Sequence, residues 1–306
     1  MVMLTRLTSL YAKQETTNGT DVVPAAANAV KAFDVKINPN VSVVEQKEYK
    51  ATLGAEIPRP GFKEIEISFK TYAKGSGAAG TAPEVSPLYE AAGWEETVSA
   101  GTSVTYAPSS SLDKTVTIYA YLDGTLHKLI GGKGTCKIDG KNGELVVLDW
   151  TFKGKTVAES QAAAPAPTYD STEPPTLLGA ALAYGGWAAI ATAFSLDFGN
   201  DLARRDSMNE ANGVLGYMIT GRKMTGSIDP QADPTTFDVW AALKAGDSDA
   251  FTVTIGGTAG NIIDIDAAAC VLTAPPYGDR NGIVTHDAAF TCAETTGDDE
   301  GTIVYT

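Results

Sequence analysis

Histidine, cysteine and long apolar runs are scarce in this chain of 306 residues, and each shortage excludes something. The two histidines, His127 and His286, are far apart and near no Cys-x-x-Cys, so zinc chemistry has no ligand set. The three cysteines, Cys136, Cys270 and Cys292, are odd in number and widely spaced, which is no disulfide framework. Each sits in a strand-like run as a small buried hydrophobe would, away from the turns and helix starts that lower a thiol pKa. No apolar run approaches the roughly 18–20 residues of a membrane span. The opening "MVMLTRLTSLYAKQETTNG" has no charged-then-apolar leader, so secretion through a signal peptide is not expected. Positive charge is also short in the second half. Residues 1–155 carry 17 Lys+Arg and 17 Asp+Glu, whereas residues 156–306 carry 6 and 20, which accounts for the net −14. The second half has no basic patch to grip phosphate, so nucleic acid would meet it as a like-charged wall.

Apolar residues make up 43% and charged residues 20%, the balance of a packed domain. Abundant Gly, Thr, Val, Ser and Tyr favour strands and turns over helices. One stretch, "KGSGAAGT" at 74–81, spells G-x-G-x-x-G after a strand-like run. A dinucleotide site needs the last glycine to open a helix and an apolar parallel strand to follow. Here Pro83 and Pro87 delay any helix, and "TSVTYAPSSS" follows, so the stretch reads as a mobile loop between a strand and a short helix. No nucleophile–base–acid constellation stands in a sensible context, and no cofactor or metal is expected.

The Ala/Pro/Ser/Thr-rich segment 158–176 reads as an extended linker between domains at 1–157 and 177–306. The two halves look alike. In "KEIEISFKTY", Ile65, Ile67 and Phe69 alternate with Glu64, Glu66 and Ser68. In "RKMTGSID", Met224 and Ile228 alternate with Lys223, Thr225, Ser227 and Asp229. Aligning Phe69 with Ile228 keeps both faces in phase. Each strand precedes a short helix, at "PEVSPLYEAAGW" and at "DPTTFDVWAALKAG", the second with Asp233 as its cap and Gly246 at its end. Asp123-Gly124 predicts a tight hairpin. Long irregular segments, "EQKEYKATLGAEIPRPGF" and "GNDLARRDSMNEANGVLG", precede the two core strands. The pattern predicts two tandem β-sandwich domains, each with one short α-helix.

Several passages resemble the tail tube (major tail) proteins of long-tailed bacteriophages: "TTNGTDVVPAAANAVKAFDV", "GAEIPRPGFKEIEISFKTY", "YLDGTLHKLIGGKGT", "FSLDFGNDLARRDSMN", "GRKMTGSIDP", "FDVWAALKAG" and "PPYGDRNGI". They follow the family in order over almost the whole chain. The resemblance implies a virion structural protein, not an enzyme, made in the host cytoplasm. It implies homotrimeric, pseudo-sixfold rings that stack into a hollow tube. It also implies tail terminator, tail-tip and tape-measure proteins as partners, and DNA that passes through without specific binding. Inner sheets would join into a large barrel on oligomerisation. Glu64, Glu66, Ser68, Lys223, Thr225, Ser227 and Asp229 would then face a negatively charged lumen. Arg59, Arg204, Arg205 and Asp206, on the long loops, are the candidate contacts between subunits or rings. A solvated sheet face and a solvated loop are the plain alternatives for these two sets. A β-sandwich adhesin or capsid decoration protein is the rival function.

Overall fold

A computed structural model describes residues 3–306. The first half forms β1 (Thr8–Gln14), β2 (Ala29–Val30), β3 (Phe33–Val44), β4 (Arg59–Tyr72), helix α1 (Ser86–Ala91), β5 (Trp94–Ser99), β6 (Ser103–Pro108), β7 (Val116–Leu122), β8 (Thr125–Lys141) and β9 (Val147–Thr156). After the short β10 (Ser160–Gln161), the second half forms β11 (Ala181–Tyr184), β12 (Ala193–Asp197), β13 (Asn200–Asp206), β14 (Val214–Arg222), β15 (Thr225–Ile228), helix α2 (Val239–Ala245), β16 (Ser248–Ile255), β17 (Ile263–Ala274), β18 (Tyr277–Arg280), β19 (Ile283–His286), β20 (Ala288–Cys292) and β21 (Thr302–Tyr305). The protein is mainly β, and its sheets do not close into a barrel within one chain.

The main layer is one antiparallel sheet of eight strands in the order β3-β4-β9-β8-β12-β15-β20-β17. The first four strands come from the first half and the last four from the second. They join where β12 pairs with the end of β8, Leu196 opposite Ile138 and Asp197 opposite Lys137. A second joint lies elsewhere. The hairpin β5–β6 of the first half extends the second half by pairing with the last strand, β21. Neither joint is visible as a local pattern, because each links residues far apart in sequence.

The alternation read from the sequence settles which face is buried. Ile65, Ile67 and Phe69 are at most 1% exposed, and Met224 and Ile228 are buried with them. Helix α1 packs on this apolar face through Leu88, Tyr89 and Ala91. The Tyr89 ring meets Trp150 at 5.1 Å and Tyr106 at 4.6 Å, and Trp94 stacks on Phe198 at 4.3 Å. The buried hydroxyls of Tyr89 and Tyr305 hydrogen-bond to each other at 2.9 Å, so neither is orphaned. Phe198 and Tyr305 belong to the second half and the other four rings to the first, so one core runs through both halves.

Three local expectations are corrected. Helix α2 begins at Val239, and its cap is Asp238, whose carboxylate accepts from the Trp240 and Ala241 amides. Asp233 instead holds the Thr235 and Thr236 hydroxyls in the turn before it. Gly246 does end the helix, with φ 70° in the left-handed region. The segment 199–216 is not irregular. It enters a β-ribbon, β13 against β14, that continues the β12–β15 hairpin after a bend. Only glycine fits that bend, because Gly199 has φ +62° and an added Cβ would lie 2.0 Å from the Lys223 carbonyl oxygen. The "KGSGAAGT" loop is pinned rather than mobile. Gly77 donates to the Gly260 carbonyl at 3.0 Å, and a Cβ on Gly75 would strike that same oxygen at 2.1 Å. Gly75 and Gly77 thus serve close backbone contact between the two halves.

Candidate assembly surface

Directly opposed residues share a sheet face, so the pairings show which side chains stand together. One row runs Lys70–Asp149–Lys137–Asp197–Thr225–Thr291 across six strands, from β4 to β20. Glu64, Glu66 and Ser68 lie on this face by their two-residue spacing from Lys70, and Ser227 lies on it by its spacing from Thr225. The expected lumen residues of both halves therefore occupy one face of one sheet. Lys223 and Asp229 flank β15 in the same phase. Asp229 is tied down, accepting from the Thr192 and Ala193 amides and pairing with Arg280 at 2.9 Å.

The face carries lysines beside its carboxylates, so the acidic excess of the second half is not concentrated on it. Glu66 meets Lys153 at 3.5 Å, Asp149 meets Lys70 at 3.7 Å, and Lys137 meets Asp139 at 2.9 Å. The acidic excess of the second half sits elsewhere, on exposed residues such as Asp233, Asp238, Asp247 and Glu294. Net charge counts residues, whereas a face potential depends on which strand position each occupies.

Ribbon β13–β14 bends back over the first half and brings the two groups of candidate residues together. Glu64 accepts hydrogen bonds from the Tyr217 hydroxyl, from Asn40 at 2.7 Å and from Arg204 at 3.3 Å. Partial burial pushes the Glu64 carboxyl up, but these three donors outweigh it and hold its pKa below the usual range. Burial and the neighbouring carboxylate push the Tyr217 phenol up. Arg204 also binds Asp206 at 2.7 Å and lies over the Phe62 ring at 4.5 Å. Farther along, Asn200 donates to the carbonyls of Ala92 and Gly134 at 2.7 and 2.9 Å. Asn212 donates to the Thr156 carbonyl at 2.6 Å. Tyr217 and Asn200, which the sequence reading passed over, are thus the anchors of the ribbon. Arg204 and Asp206 are engaged within the chain. Arg59 and Arg205 stay exposed, and no ion pair holds either among the described residues.

The first half carries the corresponding hairpin, β3–β4, but its far end has no seat. Residues 41–62 form an arm with Val43 64%, Ile57 76%, Tyr49 103% and Leu53 108% exposed. Among the described residues its tip is tied only to itself, through Lys50 and Glu56 at 2.5 Å. Apolar surface left bare in this way marks an interaction site.

A cleft of about 490 Å³ lies between β14 and the loop 109–113. In it Lys133 pairs with Asp113 at 3.1 Å and Arg222 with Asp298 at 2.9 Å. Among the described residues, no cluster of three or more His, Cys, Asp or Glu could hold a metal ion. No helix among them is long and apolar enough to cross a membrane. The features that stand out are a polar sheet face, a seated ribbon and an unseated arm. The family model described as phage tail tube protein matches residues 5–292. No curated protein matches the chain.

Proposed function

Because the chain belongs to the phage tail tube protein family, a family of virion structural proteins, we propose that three copies close into a ring with pseudo-sixfold symmetry. Stacked rings then form the conduit through which the genome leaves the capsid. The observation that carries this is the eight-stranded sheet with four strands from each half. The halves repeat one order. In the first, β3, β4, β9 and β8 pair in sequence, and β8 also pairs with β7, which pairs with β1. In the second, β12, β15, β20 and β17 do the same, with β16 and β11 in the places of β7 and β1. An internal duplication accounts for this, and it places two equivalent units of each copy around the ring axis.

Three copies of the sheet would supply twenty-four strands. At a spacing of about 4.8 Å and a tilt of about 40°, such a barrel measures about 48 Å across its backbone, wide enough for a DNA duplex after side chains are subtracted. The polar face would line it. A wall on which Lys70, Lys137 and Lys153 are already paired with carboxylates offers phosphate little net attraction, so the duplex would slide without being held. Tail terminator, tail-tip and tape-measure proteins would be the partners at the ends and within the tube. The test is electron microscopy over a concentration series with mass measured in solution. Hollow rings or tubes with threefold or pseudo-sixfold end views are expected. A monodisperse monomer at every concentration, even with tail-tip nuclei supplied, would overturn the reading.

A further inference from the structure

The joint inside one chain offers a template for the joint between chains, an argument that rests on the tube reading. Carrying the Phe69–Ile228 alignment through the pairings matches the central strands of one half to those of the other. Ile67 opposes Phe152, which opposes Gly134, and in the second half Gly226 opposes Phe290, which opposes Leu272. Farther on, Leu148 opposes Ile138 as His286 opposes Tyr277, and Val147 opposes Asp139 as Thr285 opposes Gly278. Strand β18 thus corresponds to the end of β8 that receives β12. Strand β3 corresponds to β12.

Burial separates the filled joint from the empty one. At the filled joint Phe194, Leu196 and Ile138 are 3%, 0% and 1% exposed. Their counterparts are less covered: Val35 and Ile37 are half-buried, and Tyr277 is 66% exposed. The outer edge of β3, twelve residues long, pairs with no strand among the described residues. A long open edge beside uncovered apolar side chains invites another strand.

We propose that β3 of one copy pairs antiparallel with β18 of the next, in the register of the β12–β8 joint. Ile37 then lies opposite Tyr277 of the partner subunit and Lys36 opposite Gly278 of the partner subunit. The first pair buries what the single chain leaves bare, and the second continues the polar face from copy to copy. In the template the Phe198 amide donates to the Cys136 carbonyl directly opposite at 3.0 Å. Because such pairs alternate, Ser195 and Asp139 form a non-hydrogen-bonded pair, the kind with the closer Cα atoms. Lys36 and Gly278 inherit that geometry, which suits a disulfide.

The test is the double variant Lys36→Cys with Gly278→Cys, assembled under reducing conditions, oxidised in air and run on a non-reducing gel. Covalent dimers and trimers with nothing larger are expected, several-fold more abundant than from the offset pair Asn40→Cys with Gly278→Cys. If the double variant does not assemble, the two single variants are mixed, and each should link to the other and not to itself. Rings seen by microscopy without this cross-link, or with equal linking at the offset pair, would overturn the pairing and leave the tube reading intact. Wild-type protein that never forms rings would remove the tube reading and the pairing together.

Discussion

Ribbon β13–β14 and the arm at 41–62 occupy the same place in their halves, yet one is covered and the other bare. The ribbon lies against β4, β8, β9 and the end of α1, and Val214 on it is fully buried. The arm exposes Tyr49, Leu53 and Ile57. The second-half hairpin has a neighbour in its own chain, the first half. The first-half hairpin would find its neighbour only in another copy. A monomer of a repeating assembly should show this asymmetry, one joint made and its equivalent left open.

The largest effect expected from this comparison concerns assembly. Replacing residues 45–58 by an Asn-Gly turn should abolish rings while the monomer melts within about 2 °C of wild type, since the arm tip is exposed and bonded to itself among the described residues. Closing the ribbon instead, by joining Gly199 to Lys223 through a short turn, should lower the monomer's melting temperature by about 10 °C or more, through the lost burial of Val214 and Tyr217. Calorimetry and sedimentation would check both. Equal destabilisation by the two deletions would dissolve the distinction.

Next in size is Gly199→Ala. A left-handed φ and a backbone oxygen 2.0 Å from the new Cβ leave no relaxed position for the methyl group. A loss of about 2–4 kcal/mol in denaturant unfolding is expected. A loss below about 1 kcal/mol would mean that the bend is soft and that the ribbon is not held by its backbone.

This bend also marks where the sequence stopped being legible. The alternation around Ile67 and Ile228 identified both faces of the central sheet, because a half-buried strand must alternate. Asp123-Gly124 gave its hairpin, with φ 44° and 88°, since few residue pairs accept two positive φ angles. The ribbon escaped because its residues, "NDLARRD", are polar on both sides and carry no burial period. The glycine at 199, ahead of a polar stretch that ends in Asn212-Gly213, was the available signal. The β12–β8 and β21–β6 joints escaped for another reason. They pair strands brought together only by the finished fold, and no local pattern encodes them. The anchors Tyr217 and Asn200 became identifiable only once those joints had placed the ribbon.

A smaller effect sits at Tyr217, which donates to a carboxylate. Tyr217→Phe should cost about 1–2 kcal/mol, since Glu64 retains Asn40 and Arg204. The same contact predicts a pH dependence. The Glu64 pKa is depressed in the folded protein, so its contribution is complete above the ordinary glutamate value of about 4.3 and declines as pH falls through the folded value. Wild type should therefore lose more stability than Tyr217→Phe between about pH 5 and pH 3. Parallel pH profiles would mean that the hydroxyl does not stabilise the Glu64 charge, and the ribbon would then be held by its backbone contacts alone.

The smallest effect belongs to the open face. Glu66 and Lys153 are 3.5 Å apart, with side chains 37% and 40% exposed. Water screens such a pair, so Glu66→Gln should shift monomer stability by less than about 1 kcal/mol, and by less still in high salt. Its informative contrast is Glu64→Gln, one pleat away on the same strand but beneath the ribbon, where a weaker acceptor would face Tyr217 and Arg204. The two substitutions remove the same charge from the same face and differ only in cover. If Glu66→Gln proved as costly as Glu64→Gln, the face would be closed to solvent in the single chain, and a polar wall open to a lumen could not be built from it.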